Sequence, residues 1–406
     1  MTELRDGTPK EAGMSAARVE HVKGLARGWV EDGTHPALVV LAARRGVIFM
    51  HEAFGTLRPG EGPALPPDAI FPIFSATKPI TAACVLLLVE EGRVGLMRSV
   101  RDYFPEISAE GAQDVLIHHL LSHLSGWRDI DVAREGTRRA AEGGERPAPE
   151  PGQHPDIAQF LHVTSSTPLA CPPGEAMQYC QLNYELLAEI VRRVSGLSIE
   201  RFARERIFEP LGMSDSSYVL PAEHRERKVR RSEGMPGTQF GGRLFPGVDA
   251  ERFEGQPSGA GGMHTTARDY ATFAQMLLNN GTYGGRRVLS PASVQAMRRN
   301  QVPAGVPMRW VRPGPDGEPV TWEFSGGYGY GLAPFADSVT AYFNGGLASP
   351  SSFSHSGNFG TYWWADPERD LVGVYLSVAA RYRDDGVTLD RRSDLFVDAL
   401  TAAVDE

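Results

Sequence analysis

The spacing of apolar residues changes along the chain, from a strand pattern near the N-terminus to a helical pattern and back. Strands are predicted at residues 37–43, 46–50, 328–334, 353–355, 361–365 and 371–378. The first two strands are joined at Arg44-Arg45-Gly46, and the last two at residues 366–370, so each pair is expected to form a hairpin. Both ends of the chain therefore supply strands.

The middle of the chain has apolar residues at helical spacing. Helices are predicted at residues 15–33, 75–91, 156–162, 184–194, 198–211, 266–279, 291–300 and 392–404. Gly, Pro and charged residues predict loops at residues 56–68, 128–156, 221–258 and 305–317. We expect the last three loops to rim a cleft, because binding residues often lie on loops.

These patterns favour an α+β fold, in which an antiparallel sheet built from both ends is flanked by the terminal helices. An all-helical subdomain is expected to be inserted into it. We place the α/β subdomain at residues 1–71 and 259–406 and the helical subdomain at residues 72–258. A cleft between two such parts is a common position for a ligand site.

Composition and charge narrow the function classes. The net charge is −9 at pH 7 with no long basic run, which argues against nucleic acid and anionic membranes as partners. Residues 1–24 lack the apolar core of a secretory signal, and the apolar run at residues 82–89 is too short to span a bilayer. The three cysteines form no disulfide framework. We therefore expect a cytoplasmic protein, with its oligomeric state open.

The strongest candidate for chemistry is Ser75, which precedes Lys78 by three residues at the start of an apolar helix. Residues at this spacing share a helix face, so the amine can reach the hydroxyl. A serine needs a base to become a nucleophile, and an apolar wall lowers the pKa of a lysine until it can be that base. The alternative interpretation is a capping serine beside a solvated lysine.

Tyr179 is the candidate that exchanges a proton between Ser75 and a leaving group. Its alternative is an ordinary core tyrosine. The oxyanion of the reaction needs two donors, for which we expect the backbone N–H groups of Ser75 and Asn358. Asn358 follows Ser356 and Gly357, and the glycine allows a close backbone approach.

Three segments carry a family resemblance: Ser75-Ala-Thr-Lys78, Tyr179-Cys-Gln181 and His355-Ser-Gly357. They resemble the signature elements of the serine β-lactamase and penicillin-binding-protein superfamily, in particular its class C-like branch. That branch holds family VIII carboxylesterases, D-aminopeptidases and certain natural-product acyltransferases. The resemblance covers residues 12 to 400, which implies one domain over residues 1–406 and no cofactor.

Two residues depart from the family pattern. His355 stands where the third element usually has lysine, and Gln181 where the second usually has asparagine. The lysine anchors a substrate carboxylate, whereas a histidine is mostly neutral at pH 7. The resemblance therefore implies a serine hydrolase that cleaves carboxylic esters through an acyl-enzyme. His355 is interpreted as a substrate-binding or a plain strand residue, and Gln181 as a support for the Lys78 amine.

Three alternatives remain: a β-lactamase or D-amino-acid peptidase, an acyltransferase to a small acceptor, and a non-catalytic binding protein. A metal site is not expected. His119 and His123 have helical spacing, but no glutamate follows His119 and no third ligand is apparent.

Overall fold

Strands from both ends of the chain pair side by side in one eight-stranded sheet. The computed structural model describes residues 3–58, 61–143, 146–230, 257–313, 318–324, 326–335, 345–379 and 390–405. The strands are β1 Arg5–Asp6, β2 Ala37–Arg44, β3 Val47–Arg58, β4 Glu61–Ala64, β5 Phe71–Pro72, β6 Met177–Gln178, β7 His264–Thr265, β8 Thr282–Tyr283, β9 Arg286–Arg287, β10 Met308–Pro313, β11 Pro319–Phe324, β12 Ala333–Pro334, β13 Phe353–Ser356, β14 Tyr362–Asp366 and β15 Leu371–Val378.

The large sheet has the order β1-β3-β2-β15-β14-β13-β12, and β4 pairs with β3. Its pairs are antiparallel except for β1 with β3. A three-stranded sheet has the order β11-β10-β6, and two-stranded sheets join β5 to β7 and β8 to β9. The α+β class predicted from the sequence is thus confirmed.

The helices pack on both faces of the sheet. They are α1 Ala16–Glu31, α2 Lys78–Glu90, α3 Ile117–Leu121, α4 Asp129–Ala141, α5 Pro155–Thr164, α6 Gln181–Ser195, α7 Ile199–Ala203, α8 Glu209–Leu211, α9 Ala267–Leu278, α10 Pro291–Arg298 and α11 Ser393–Thr401. No helix among the described residues has both the length and the apolar character that crossing a bilayer requires.

Strand β2 shows why both faces are covered, because all eight of its residues are buried. Leu38 and Val40 pack in the cluster that contains apolar residues of α1 and α11. Val39 and Leu41 pack in the larger cluster that contains residues of α2, α6 and α9. A strand buried on both faces is apolar without alternation, as this one is.

Helix α2 lies at the centre of the larger cluster. Its residues from Lys78 to Leu88 are all buried, and it ends at Glu90, two residues before Gly92. Gly92 has φ +69°, a left-handed conformation that glycine adopts without the steric cost of a Cβ. The end predicted for this helix was therefore correct to within one residue.

Three predicted loops are wrong in part. Residues 129–141 form α4, whose exposed face is held by ion pairs of Glu135 with Arg138 and Arg139 at helical spacing. Residues 308–313 form β10, and residues 61–64 form β4. Local charge, Pro and Gly suggested loops there, but burial of Ile130 and Val132 and pairing between strands determine the structure.

Two further predictions need correction. The strand expected at residues 328–334 is reduced to β12, in a segment rich in glycine. The helical subdomain is not all-helical, because β6 lies within residues 72–258 and pairs with β10. The predicted loop at 221–258 begins with a 3₁₀ turn at Ala222–Arg227, and its residues 231–256 lie outside the described part. The division at residues 72 and 258 stays a prediction.

Candidate active site

Ser75 lies in a 3₁₀ turn, Phe74–Thr77, that leads directly into α2. Side chains three residues apart are eclipsed in a 3₁₀ turn, so Ser75 points to the same side as Lys78. The residue before the serine, Phe74, has φ +48°, an uncommon left-handed conformation for a side chain of this size. The backbone just before it is anchored by the Ile73 N–H, which donates to the Met263 carbonyl at 3.0 Å. A constrained turn thus presents the hydroxyl at the start of a buried helix.

The Lys78 amine is fully buried and contacts three oxygen atoms. Nζ lies 3.1 Å from Ser75 Oγ and 2.9 Å from the Ala260 carbonyl, and it also donates to Gln181 Oε1. A neutral amine has two N–H donors and one lone pair. With both donors directed to Gln181 and Ala260, the lone pair faces the serine hydroxyl. The contact between Gln181 and the lysine amine has the form expected from the sequence.

Burial lowers the pKa of Lys78 to about 7, because the ammonium loses its solvation. The carboxylates of Asp129 and Glu185 oppose this effect by favouring the charged form. A large fraction of the lysine is therefore neutral at physiological pH, which a general base requires.

Asp129 and Glu185 are site residues that sequence analysis missed. Asp129 accepts hydrogen bonds from the backbone N–H groups of Gln181 and Leu182, at 2.8 and 3.2 Å, at the N-terminus of α6. Glu185 accepts from Ser258 Oγ and from the Gly259 N–H at 3.2 Å. Asp129 therefore holds the segment of Gln181, and Glu185 holds the segment of Ala260, whose oxygen atoms contact Lys78. No sequence motif marks them, and only their contacts in the folded chain distinguish them from surface acids.

Tyr179 packs directly on the lysine. Nζ of Lys78 lies 4.8 Å from the centroid of the Tyr179 ring. The His123 ring lies against the other aromatic groups here, 4.3 Å from Tyr179 and 4.8 Å from Tyr328 between centroids. Strand β6 leads into Tyr179, whose N–H donates to the Arg309 carbonyl at 3.2 Å. The structure thus brings Ser75, Lys78 and Tyr179 together, although the tyrosine is about a hundred residues from the other two.

The end of β13 approaches the serine turn closely at Gly357. A Cβ on Gly357 would lie 2.1 Å from the Ile73 carbonyl oxygen, which no side chain could tolerate without backbone movement. The Thr361 hydroxyl donates to the same carbonyl at 3.2 Å. Asn358 follows Gly357 at the start of the turn Asn358–Gly360. The predicted oxyanion segment therefore lies beside the residues that precede Ser75.

His355 is buried and both of its ring nitrogens are engaged. Nδ1 lies 2.7 Å from the Ser356 carbonyl, so it carries the proton and donates. Nε2 then accepts from the Tyr328 hydroxyl at 3.0 Å. Burial, with the nearby Lys78, lowers the pKa of His355 to about 3, so the ring is neutral. This side chain orients Tyr328, and its contact with a substrate stays a prediction.

Two other histidines, His119 and His123, accept structural hydrogen bonds. His119 Nδ1 accepts from the Leu116 N–H at 3.1 Å, and His123 Nδ1 accepts from the Cys180 N–H at 3.2 Å. The Cys180 thiol faces Asp129, with Sγ 3.2 Å from Oδ1. Within the described ranges, no three His, Cys, Asp or Glu side chains converge on a metal position.

Comparison with known proteins places this chain in a family. A family model described as Beta-lactamase matches residues 22–396. Penicillin-binding protein 4 of Amycolatopsis lactamdurans is 31% identical over 352 residues, covering 81% of this chain and 83% of that protein. Esterase EstB of Burkholderia gladioli is 28% identical over 366 residues, covering 84% and 86%. The crystal structure of a family VIII carboxylesterase matches with a TM-score of 0.70 at 21% identity, covering 96% and 98%.

The chain is thus an enzyme with the fold of serine hydrolases. It belongs to the β-lactamase family, because the family match spans most of its length. Its relatives in that family carry the names of penicillin-binding proteins and of esterases.

Proposed function

We propose that this enzyme hydrolyses carboxylic esters through an acyl-enzyme on Ser75. The observation that carries the proposal is the buried Lys78 amine, 3.1 Å from Ser75 Oγ with its pKa lowered to about 7. A base at this distance and pKa can take the serine proton as the hydroxyl attacks.

The reaction would proceed in two halves. Ser75 Oγ attacks the acyl carbon while Lys78 accepts its proton, and the N–H groups of Ser75 and Asn358 stabilise the oxyanion. The acyl–oxygen bond then breaks, and Tyr179 donates its proton to the leaving alcohol. Tyr179 regains a proton from Lys78. Water attacks the acyl-enzyme with the same groups acting as base, which releases the acid and restores Ser75.

Esters are favoured over carboxylate-bearing substrates by the third family element. The neutral, hydrogen-bonded His355 supplies no positive charge to a substrate carboxylate. The relative named esterase EstB is consistent with this choice.

A second candidate, a β-lactamase or D-amino-acid peptidase, is favoured by one contact. Arg391 Nη1 donates to the Gly357 carbonyl at 2.8 Å, at the end of β13. A guanidinium there could meet a substrate carboxylate that His355 cannot. The relative named penicillin-binding protein 4 is consistent with this candidate.

Two substrates separate the candidates. We expect p-nitrophenyl butyrate to be turned over faster than nitrocefin, and Ser75→Ala to lose at least about a thousandfold in kcat. The exposed Ser108 gives a matched control, since Ser108→Ala should keep full activity. Faster hydrolysis of nitrocefin would favour the second candidate, and full activity of Ser75→Ala would refute both. An added alcohol that receives the acyl group faster than water would instead indicate an acyltransferase.

A non-catalytic protein of this fold makes a different prediction. It would form no covalent adduct with a fluorophosphonate probe. We expect one adduct per chain on Ser75 by mass spectrometry, and none on Ser75→Ala.

A further inference from the structure

The hairpin of β10 and β11 is held against the catalytic tyrosine. Strand β10 pairs in parallel with β6 at Met308 with Met177 and at Arg309 with Gln178, just before Tyr179. The Arg309 carbonyl accepts the Tyr179 N–H at 3.2 Å. The position of the hairpin is therefore fixed relative to the proposed proton donor.

One face of this hairpin, here called the apolar face, carries large apolar side chains. Trp310 and Trp322 are directly opposite each other across the two strands, so their side chains lie on the same face. Met308, two residues before Trp310, is on that face too and is buried in the apolar cluster against which Tyr179 packs. The opposite face carries an ion pair of Arg309 and Glu323 at 2.9 Å.

Exposure increases along the apolar face with distance from the cluster. Met308 is 5% exposed, Trp310 is half-buried, and Trp322 is 39% exposed. Val320, on the same face beside Trp322, is 38% exposed. Adjacent large apolar side chains that remain in contact with solvent are unusual and commonly mark a binding surface.

The apolar face is continuous with the leaving-group side of the site. The Trp310 ring lies 6.0 Å from the Tyr179 ring between centroids, in an edge-on arrangement at 63°. In the proposed mechanism Tyr179 protonates the leaving alcohol, so the group bound next to Tyr179 is the alcohol and not the acyl chain. Trp310 thus presents a large apolar surface beside Tyr179.

We propose that Trp310 and Trp322 bind the alcohol part of the substrate, and that this part is a flat aromatic group. The proposal rests on the ester hydrolysis proposed above. A planar ring can stack on or against two indoles with a large contact area, which a short alkyl group cannot provide. No co-reactant is added, since the acyl–oxygen bond breaks and the alcohol leaves with the proton from Tyr179.

The test uses two acetate esters that give the same acetyl-enzyme, 2-naphthylmethyl acetate and methyl acetate. We expect the wild-type kcat/KM to favour the naphthylmethyl ester. In Trp310→Ala and Trp322→Ala that preference should fall about tenfold or more, while kcat/KM for methyl acetate changes less than about threefold. Thr321→Ala is the matched control, because Thr321 is exposed on the opposite face of β11. It should keep the wild-type preference.

Two further measurements keep the outcomes separate. Trp310→Ala could disturb Tyr179, so Trp310→Phe should restore most of the preference, and the exposed Trp322 tests the surface with little effect on folding. Equal losses for both esters, or an unchanged preference in both alanine variants, would overturn the inference.

Ser75→Ala is assayed on methyl acetate in parallel. Loss of turnover in Ser75→Ala with an unchanged preference in the tryptophan variants would refute only this inference, whereas turnover by Ser75→Ala would refute the proposed function itself.

Discussion

The buried Lys78 amine predicts a pH dependence of stability that can be worked out from the structure. Its pKa falls from an ordinary value of 10.5 to about 7 in the folded protein. Between these values the unfolded chain binds more protons than the folded one, so the free energy of unfolding rises with pH. With one titrating amine, the gain between pH 7 and pH 9 is about 2 kcal/mol.

Lys78→Met removes this amine and keeps a side chain of similar length. We expect the difference in free energy of unfolding between wild type and Lys78→Met to change by about 2 kcal/mol from pH 7 to pH 9, in favour of the wild type. Urea unfolding at pH 7, 8 and 9 measures it. The pKa of Asp269 is also raised to about 7 by burial, but this group titrates in both proteins and cancels.

Enzyme kinetics report the same group independently. Because only the neutral amine can accept the Ser75 proton, kcat/KM should rise about tenfold per pH unit below pH 7 and level off above it. Burial keeps the pKa of His355 at about 3, so that histidine does not account for this limb. Two results together would refute the reasoning. The free energies of unfolding of wild type and Lys78→Met would differ by the same amount at pH 7 and pH 9, and kcat/KM would not change between pH 6 and pH 8.

Three substitutions test other parts of the site and fold. Asp129→Asn removes a negative charge that raises the pKa of Lys78, so the acid limb of kcat/KM should move to lower pH, and an unmoved limb would contradict this coupling. Gly357→Ala forces the β13 end away from the Ile73 carbonyl and should lower kcat about a hundredfold; wild-type turnover would show that the close approach is unimportant. Glu189→Ala removes a buried carboxylate that accepts from two arginines, and chemical denaturation should show a loss of about 2 kcal/mol, with less than about 0.5 kcal/mol contradicting it.

Elements with a strong local pattern were predictable from the sequence. The turn at Arg45 and Gly46 connects β2 and β3 as expected, since both residues have positive φ, as a tight hairpin turn of this kind requires. Strand β15, Leu371–Val378, has the predicted bounds. Helix α6 ends at Ser195, and Gly196, the residue at which the sequence indicated its end, caps it in a left-handed conformation.

Elements that depend on distant contacts were not predictable. The sequence of helix α4 is rich in charged residues, as loops often are. The helix is stabilised by its own ion pairs and by burial of only two apolar residues. Pro307 precedes strand β10 and Pro313 is its last residue, so the local sequence resembles a loop, and the strand forms by pairing with β11 and β6.

The residues of the candidate site likewise fall into a group that was predictable from local sequence and a group that was not. Ser75, Lys78 and Tyr179 belong to short motifs that local sequence can display. Asp129 and Glu185 act through their proximity to Lys78, and that proximity is a property of the folded chain. Sequence spacing cannot predict a contact between a carboxylate and a base that only the tertiary fold brings together.

The pairing of β2 with β15 also constrains how the protein can be made. Strand β2, Ala37–Arg44, meets its partner at Leu371–Val378 over eight residue pairs. During synthesis the ribosome releases β2 long before β15, so the apolar edge of β2 has no partner until residues 371–378 have been made. The nascent chain is therefore exposed to aggregation during this interval, and a chaperone that shields the hairpin of β2 and β3 should raise the yield of folded enzyme.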